Sequence, residues 1–227
     1  MPRRPQSKGA CFYCSRELAK GGMTRHLSSC PKRLEIIAAS VKNPDDAELL
    51  IHLRIEDAWR SDYWLNLEMR GSATLKDLDH YLRAIWLECC GHMSRFCVGG
   101  WGGANIGMGR TAGQVFQPGS VLTHQYDFGT TSETLVRVIS SREGKPITNR
   151  LIALMARNAL PAEACIECGQ PAAWLCMECL IEDDSLGTLC NRHATTHPHH
   201  QYGEPVVIVN SPRLGMCGYD GPADPPY

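Results

Sequence analysis

The chain is 227 residues long, carries a formal net charge of −1 and is 43% hydrophobic. That suits one ordinary core with small satellites and excludes a disordered or low-complexity polypeptide. No apolar run approaches the roughly 20 residues a membrane-spanning helix needs, and Met1-Pro2-Arg3-Arg4 does not open a signal peptide, so the expected setting is cytoplasmic.

Charge and cysteine are both unevenly placed. Residues 1–33 hold Arg3, Arg4, Lys8, Arg16, Lys20, Arg25, Lys32 and Arg33 against one acid, Glu17, which leaves the rest of the chain acidic. A basic arm on an acidic body is the pattern of nucleic-acid or other anionic contact, and these eight cations are the candidate nucleic-acid-binding residues. Within the arm, Cys11-x2-Cys14-x11-His26-x3-Cys30 has metal-ligand spacing and resembles a CCHC-type zinc finger. Two cysteines lie on a knuckle, and His26 and Cys30 stand one helical turn apart. Met23 and Phe12 are the expected small core. The helix from Thr24 runs through Leu27, Cys30, Leu34 and Ile37, divided at Pro31, and Asn43-Pro44-Asp45-Asp46 ends it.

The middle domain, residues 43–160, reads as an antiparallel or mixed sheet with covering helices, an α+β fold flanked by small zinc-binding modules. Leu49, Ile51, Leu53 and Ile55 alternate with Leu50, His52, Arg54 and Glu56, and Tyr63, Leu65, Leu67 and Met69 repeat the period. Thr74 caps a helix whose stripe is Leu75, Leu78, Leu82, Ile85, Trp86 and Cys89, ended by Gly91. Further strands are expected near 93–98, 114–116, 121–128 and 134–140, and a short helix near 149–158. Residues 48–145 resemble a family of plasmid- and transposon-borne proteins named for an open reading frame of an Ri plasmid (pRiA4b ORF-3-like, often labelled TnpR-like). The residues that carry this are Thr74-Leu75-x2-Leu78-x2-Tyr81-Leu82, Trp86, Gly91-His92-Met93-x2-Phe96 and Tyr126-Asp127-Phe128-Gly129. The resemblance implies an α+β sandwich and a mobile-element or defence setting.

The last unit, residues 161–212, carries four ligand pairs: Cys165-x2-Cys168, Cys176-x2-Cys179, Cys190-x2-His193 and His197-x2-His200. Pairs one and three (Cys165, Cys168, Cys190, His193) are expected to hold one zinc, and pairs two and four (Cys176, Cys179, His197, His200) another, as a cross-brace. His199 is then one histidine too many. The ending and the run Val206–Val209 resemble the B-box family of interaction modules. Eight donors for two ions leave no open position, so these zincs read as structural. With the finger, three zinc ions are expected. The tail, 213–227, is Pro- and Gly-rich and is expected to be flexible.

Catalytic patterns are thin. Gly99–Gly109 lacks the Gly-Lys-Ser/Thr of a phosphate loop and reads as a hairpin loop. Of the thiols outside the metal modules (Cys89, Cys90, Cys97, Cys217), Cys89 reads as core, and Cys90 with His92 is too close in sequence for an activated pair. His124 and Asp127 fall on opposite faces of a strand, and Asp127 reads as a turn-binding carboxylate. The expectation is a non-enzymatic, zinc-stabilised adaptor, touching DNA or RNA through residues 1–33 and a protein through the C-terminal module. The alternatives are a purely protein-binding factor and, third, an enzyme using a thiol or an open zinc.

Overall fold

Antiparallel pairing dominates the computed structural model, which describes residues 7–40, 47–183 and 185–226. Arg3, Arg4 and the break at Asn43–Asp46 lie outside the described residues. Nine strands make one sheet: β1 (Lys8–Cys11), β2 (Glu17–Ala19), β3 (Glu48–Asp57), β4 (Trp64–Arg70), β5 (Ser94–Val98), β6 (Ala104–Ile106), β7 (Val121–Tyr126), β8 (Ser132–Gly144) and β9 (Ile152–Asn158). Their spatial order is β2-β1-β9-β4-β3-β8-β7-β5-β6. The few helices and the large antiparallel sheet make the α+β fold that the residue periodicities imply. Among the described residues, no helix is long and apolar enough to cross a membrane.

One face of the sheet carries the main core. Ile51, Leu53 and Ile55 of β3 and Leu65, Leu67 and Met69 of β4 meet Leu75, Leu78, Leu82, Ile85 and Trp86, all buried. The last five belong to α3 (Leu75–Leu82) and the π-helical turn Arg83–Leu87 that continues it. The helix starts where it does because Thr74 and Asp77 form a reciprocal capping box: the Asp77 amide donates to Thr74 Oγ1 at 3.2 Å, and the Thr74 amide to Asp77 Oδ2 at 2.7 Å.

The opposite face is polar yet buried, because the N-terminal unit lies on it. Two helices, α1 (Lys20–Ser29) and α2 (Pro31–Ser40), meet at Pro31, which cannot donate to the preceding turn. Met23 and Leu27 of α1 pack on Trp64, Met155 and Ala156. Phe12, the other expected core residue, is instead 60% exposed, since β1 presents Cys11 inward and strand alternation turns Phe12 out. Side chains of α1 and α2 reach three polar residues of the sheet. Arg33 Nη2 donates to Glu68 Oε2 at 2.7 Å, Lys20 Nζ to Glu56 at 3.1 Å, and Thr24 Oγ1 to Asn66 at 3.4 Å. His52 meets Asn66 Oδ1 at 2.8 Å, and burial drives its pKa down to about 4 despite that hydrogen bond. Because β1 also pairs with β9, the finger's two strands extend one edge of the main sheet.

Two element expectations are corrected. The helix expected near 149–158 is instead strand β9 (Ile152–Asn158). It is buried on both faces between β1 and β4, so apolar residues occur at consecutive positions and mask the period of two. Gln114 and Val115, expected in a strand with Phe116, belong to helix α4 (Ala112–Val115), which Phe116 caps in extended conformation; Gln114 Oε1 accepts the Thr111 amide at 3.1 Å. The tail is also corrected: Arg213, Tyr219 and Ala223 are buried, and Ser211 Oγ donates to the Trp86 carbonyl at 2.6 Å.

Candidate metal centres

Four groups of four Cys/His donors occur among the described residues, each with its ligand atoms within 4.8 Å of one another. The first is Cys11, Cys14, His26 and Cys30. Cys11 ends β1, and the turn back to β2 closes through the Ser15 amide on the Cys11 carbonyl at 2.8 Å. His26 and Cys30 come from the last turn of α1 and its C-cap. Cys11 and Cys30 sulfurs lie 3.9 Å apart, and Cys14 Sγ lies 3.2 Å from His26 Nε2.

The C-terminal module holds two groups on a small sheet of β10 (Trp174–Leu175), β11 (Thr188–Leu189) and β12 (Val206–Val207), with α5 (Met177–Glu182) and α6 (Asn191–Ala194). Cys165, Cys168, Cys190 and His193 form one: Cys168 and Cys190 sulfurs are 3.8 Å apart, and Cys165 Sγ is 3.3 Å from His193 Nδ1. Cys176, Cys179, His197 and His199 form the other, so the pairs do interleave. Gly187 lets the strands close over this second group. Its φ is +55°, and a Cβ there would meet Cys179 Cβ at 2.6 Å and the Cys176 oxygen at 2.8 Å. Glu167 stands between the two groups, accepting from or facing His197 Nδ1 at 2.7 Å and His193 Nε2 at 3.8 Å. A carboxylate on the far ring nitrogen is how ligating histidines are oriented.

The fourth ligand of that second group is a correction. His199 Nδ1 lies 3.2 Å from Cys179 Sγ and 3.8 Å from Cys176 Sγ, while His200 is exposed and outside the group. After α6 the chain turns irregularly, so ligand spacing does not set which histidine faces inward. His199→Ala is therefore expected to cost one bound metal ion and His200→Ala none, read by native mass spectrometry.

The donor chemistry fits zinc. A tetrahedron with Zn–S near 2.3 Å and Zn–N near 2.05 Å has S···S edges of ~3.8 Å and S···N edges of ~3.6 Å. The observed S···S separations of 3.8 and 3.9 Å and S···N separations of 3.2 to 3.8 Å lie around those values and are far from a disulfide. All twelve cysteines are free thiols. Burial pushes Cys11 up to about 11 and Cys179 up to about 11, so forming these thiolates requires a cation at hand. At Cys165 burial acts in the same direction, but surrounding backbone N–H groups and His193 outweigh it and bring the thiol down to about 6.

The fourth group is Cys89, Cys90, His92 and Cys217, so among the described residues the groups that could hold a metal ion number four, where the ligand spacings imply three. The signal that points to it is arithmetic: once the other ligands are assigned, three of the four remaining cysteines flank or face His92. The fourth, Cys97, is buried and donates to the Gly100 and Thr123 carbonyls.

The basic residues disperse. Arg33 is buried against Glu68 and is removed from any interface, and Lys20 is tied to Glu56. Lys32 is exposed and bridges to Glu35. Lys8, Arg16 and Arg25 are exposed, with no ion-pair partner among the described residues. Of the catalytic options, His124 is fully buried and paired to Asp79 at 2.7 Å. Asp127 binds the Gly129 and Thr130 amides, as its turn position implies, and takes Arg213 as a partner.

No family model matches the chain, and no curated protein matches it either. A crystal structure of a protein of unknown function, MM3350 from Methanosarcina mazei Go1, is similar at 17% identity over 54% of this chain and 75% of that one, with a TM-score of 0.42. At that level the likeness carries no argument about function.

Proposed function

We propose that the chain is a non-enzymatic, zinc-stabilised adaptor of the reducing cytoplasm, in which metal replaces hydrophobic burial at both ends of a sheet domain. The observation that carries this is the completeness of the donor sets. The finger and the two cross-brace groups each supply four protein ligands, which leaves no position for a zinc-bound water. The protein-binding arm is the C-terminal module. It exposes Ile166, Ile181, Leu186 and Val207, and it carries a cavity of about 440 Å³ lined by Trp174, Asn191, Ala194, Thr195, Glu204 and Pro205. The mobile-element or defence setting rests on the sequence resemblance of residues 48–145 alone.

Nucleic-acid contact, in this reading, is to phosphate only. One face of α1 is committed to the sheet through Met23 and Leu27, which argues against a helix free to enter a major groove. Lys8, Arg16 and Arg25 can still neutralise backbone charge. The purely protein-binding alternative is favoured by the engagement of Arg33 and Lys20 within the fold. Salt titration separates the two. Binding of the full chain to DNA or RNA should weaken as salt rises, and Arg16→Glu with Arg25→Glu should lower the log–log slope by about 2, near 0.9 per lost phosphate contact. No binding at low salt, or an unchanged slope in the double variant, selects the protein-only reading.

A further inference from the structure

We propose that Cys89, Cys90, His92 and Cys217 form a fourth zinc site, of Cys3His type, that latches the C-terminal tail to the sheet body and exchanges its metal faster than the other three. The donors come from two segments far apart in the chain. Cys89, Cys90 and His92 follow the π-helical turn at the end of α3, and Cys217 sits in the one-turn 3-10 helix Met216–Gly218. Cys90 and Cys217 sulfurs are 3.7 Å apart, Cys89 and Cys90 sulfurs 3.7 Å, and His92 Nε2 stands 3.0 Å from Cys90 Sγ and 3.3 Å from Cys217 Sγ. The sulfur separations match the ~3.8 Å edge of a zinc tetrahedron and are well beyond disulfide length.

The local backbone is shaped to deliver these atoms. Gly91, with φ +80°, reverses the chain between Cys90 and His92 so that both face one point. Cys217 itself is a non-glycine residue in the left-handed region, at φ 51° and ψ 36°, a conformation that persists only where surroundings impose it.

A supporting shell is also in place. Glu88 Oε1 accepts the Gly91 amide at 2.6 Å and the Tyr126 hydroxyl at 3.1 Å, fixing the loop. Arg213, fully buried, donates to Cys89 Sγ at 3.3 Å and to Asp127 Oδ2 at 2.7 Å. Three thiolates on a divalent ion leave a net negative charge, and this guanidinium lies against it. Asp127 stands 3.4 Å from His92 Nε2, but its oxygens are held by Arg213 and the Gly129 and Thr130 amides, which leaves that nitrogen free for metal. Cys90 and Cys217 are exposed, whereas the finger and each cross-brace group keep at least one cysteine buried. Solvent and competing ligands therefore reach this site first.

The test counts zinc in the full-length protein by native mass spectrometry, comparing wild type with Cys217→Ser and, on the other segment, Cys90→Ser. Four ions in the wild type and three in each variant are expected, with faster hydrogen exchange around residues 214–219 in both. The readout is a difference of one ion, so it stands whether or not the other three sites behave as proposed above. In wild type, a chelator should remove one ion before the rest. An unchanged count in the variants, or a Cys90–Cys217 disulfide, overturns the site. Unchanged exchange at the tail overturns the latch.

Discussion

Stripping zinc from the full chain with a strong chelator at neutral pH is expected to unfold both terminal units while the central sheet stays folded. The main core has no metal ligand among its buried members; Cys89 only packs against its edge. The finger and the cross-brace differ. In the C-terminal module the buried cluster is Cys165, Cys176, Cys179 and Leu189, three ligands and a single leucine. Such a cluster has little apolar area to bury and cannot offset the entropy of ordering its loops. Structural zinc supplies about 10–16 kcal/mol per site at neutral pH in comparable modules. Hydrogen exchange should therefore become fast across residues 164–209 and across α1 and α2, and remain slow in β3, β4 and β8. Retained protection in the terminal units after complete zinc removal would contradict this, as would global unfolding of the sheet.

Glu68→Ala is expected to destabilise the folded, zinc-loaded chain by about 3–5 kcal/mol, the usual cost of removing one partner from a buried ion pair. Glu68 is 5% exposed and receives two guanidiniums: Arg33 at 2.7 Å from α2 and Arg142 at 3.0 Å from β8. Its loss strands Arg33, whose side chain is 8% exposed, and deprives the half-buried Arg142 of its carboxylate. At this chain length that corresponds to a fall in Tm on the order of 10 °C. The exposed pair Lys32–Glu35, 62% accessible on both sides, is the control, and Glu35→Ala should leave Tm unchanged. Equal effects from the two substitutions would mean that the N-terminal helices are not seated on the sheet through Glu68.

What could be read from the residues alone was whatever is decided locally. The cap at Thr74, the break at Pro31, the period of two in β3 and β4, and the ligand pairs two or three residues apart all depend on neighbours along the chain. What could not be read depends on partners distant in sequence. Cys217 meets Cys90 and His92 only because the tail folds back over the end of α3, held by Ser211 and Arg213. A Pro- and Gly-rich composition gave no hint of that packing. Arg33 was grouped with surface cations because charge alone cannot reveal Glu68 beneath it. Phe12 falls in the turn just past β1 and points outward, whereas β9, lying between β1 and β4, buries consecutive positions and so shows no period of two. The choice of His199 over His200 turns on the backbone path after α6, which no spacing rule contains.

Crystals of the full-length protein measured at the zinc absorption edge test the central claim most directly, since anomalous difference density locates each ion without reference to any assumed ligand set. The account predicts peaks at the centre of the Cys11, Cys14, His26, Cys30 group and of both cross-brace groups, each within bonding distance of four protein atoms. A fourth peak is predicted between Cys90 and Cys217. A well-ordered chain without zinc peaks, or a peak with a coordinated water in place of a protein ligand at the finger or the cross-brace, would contradict it.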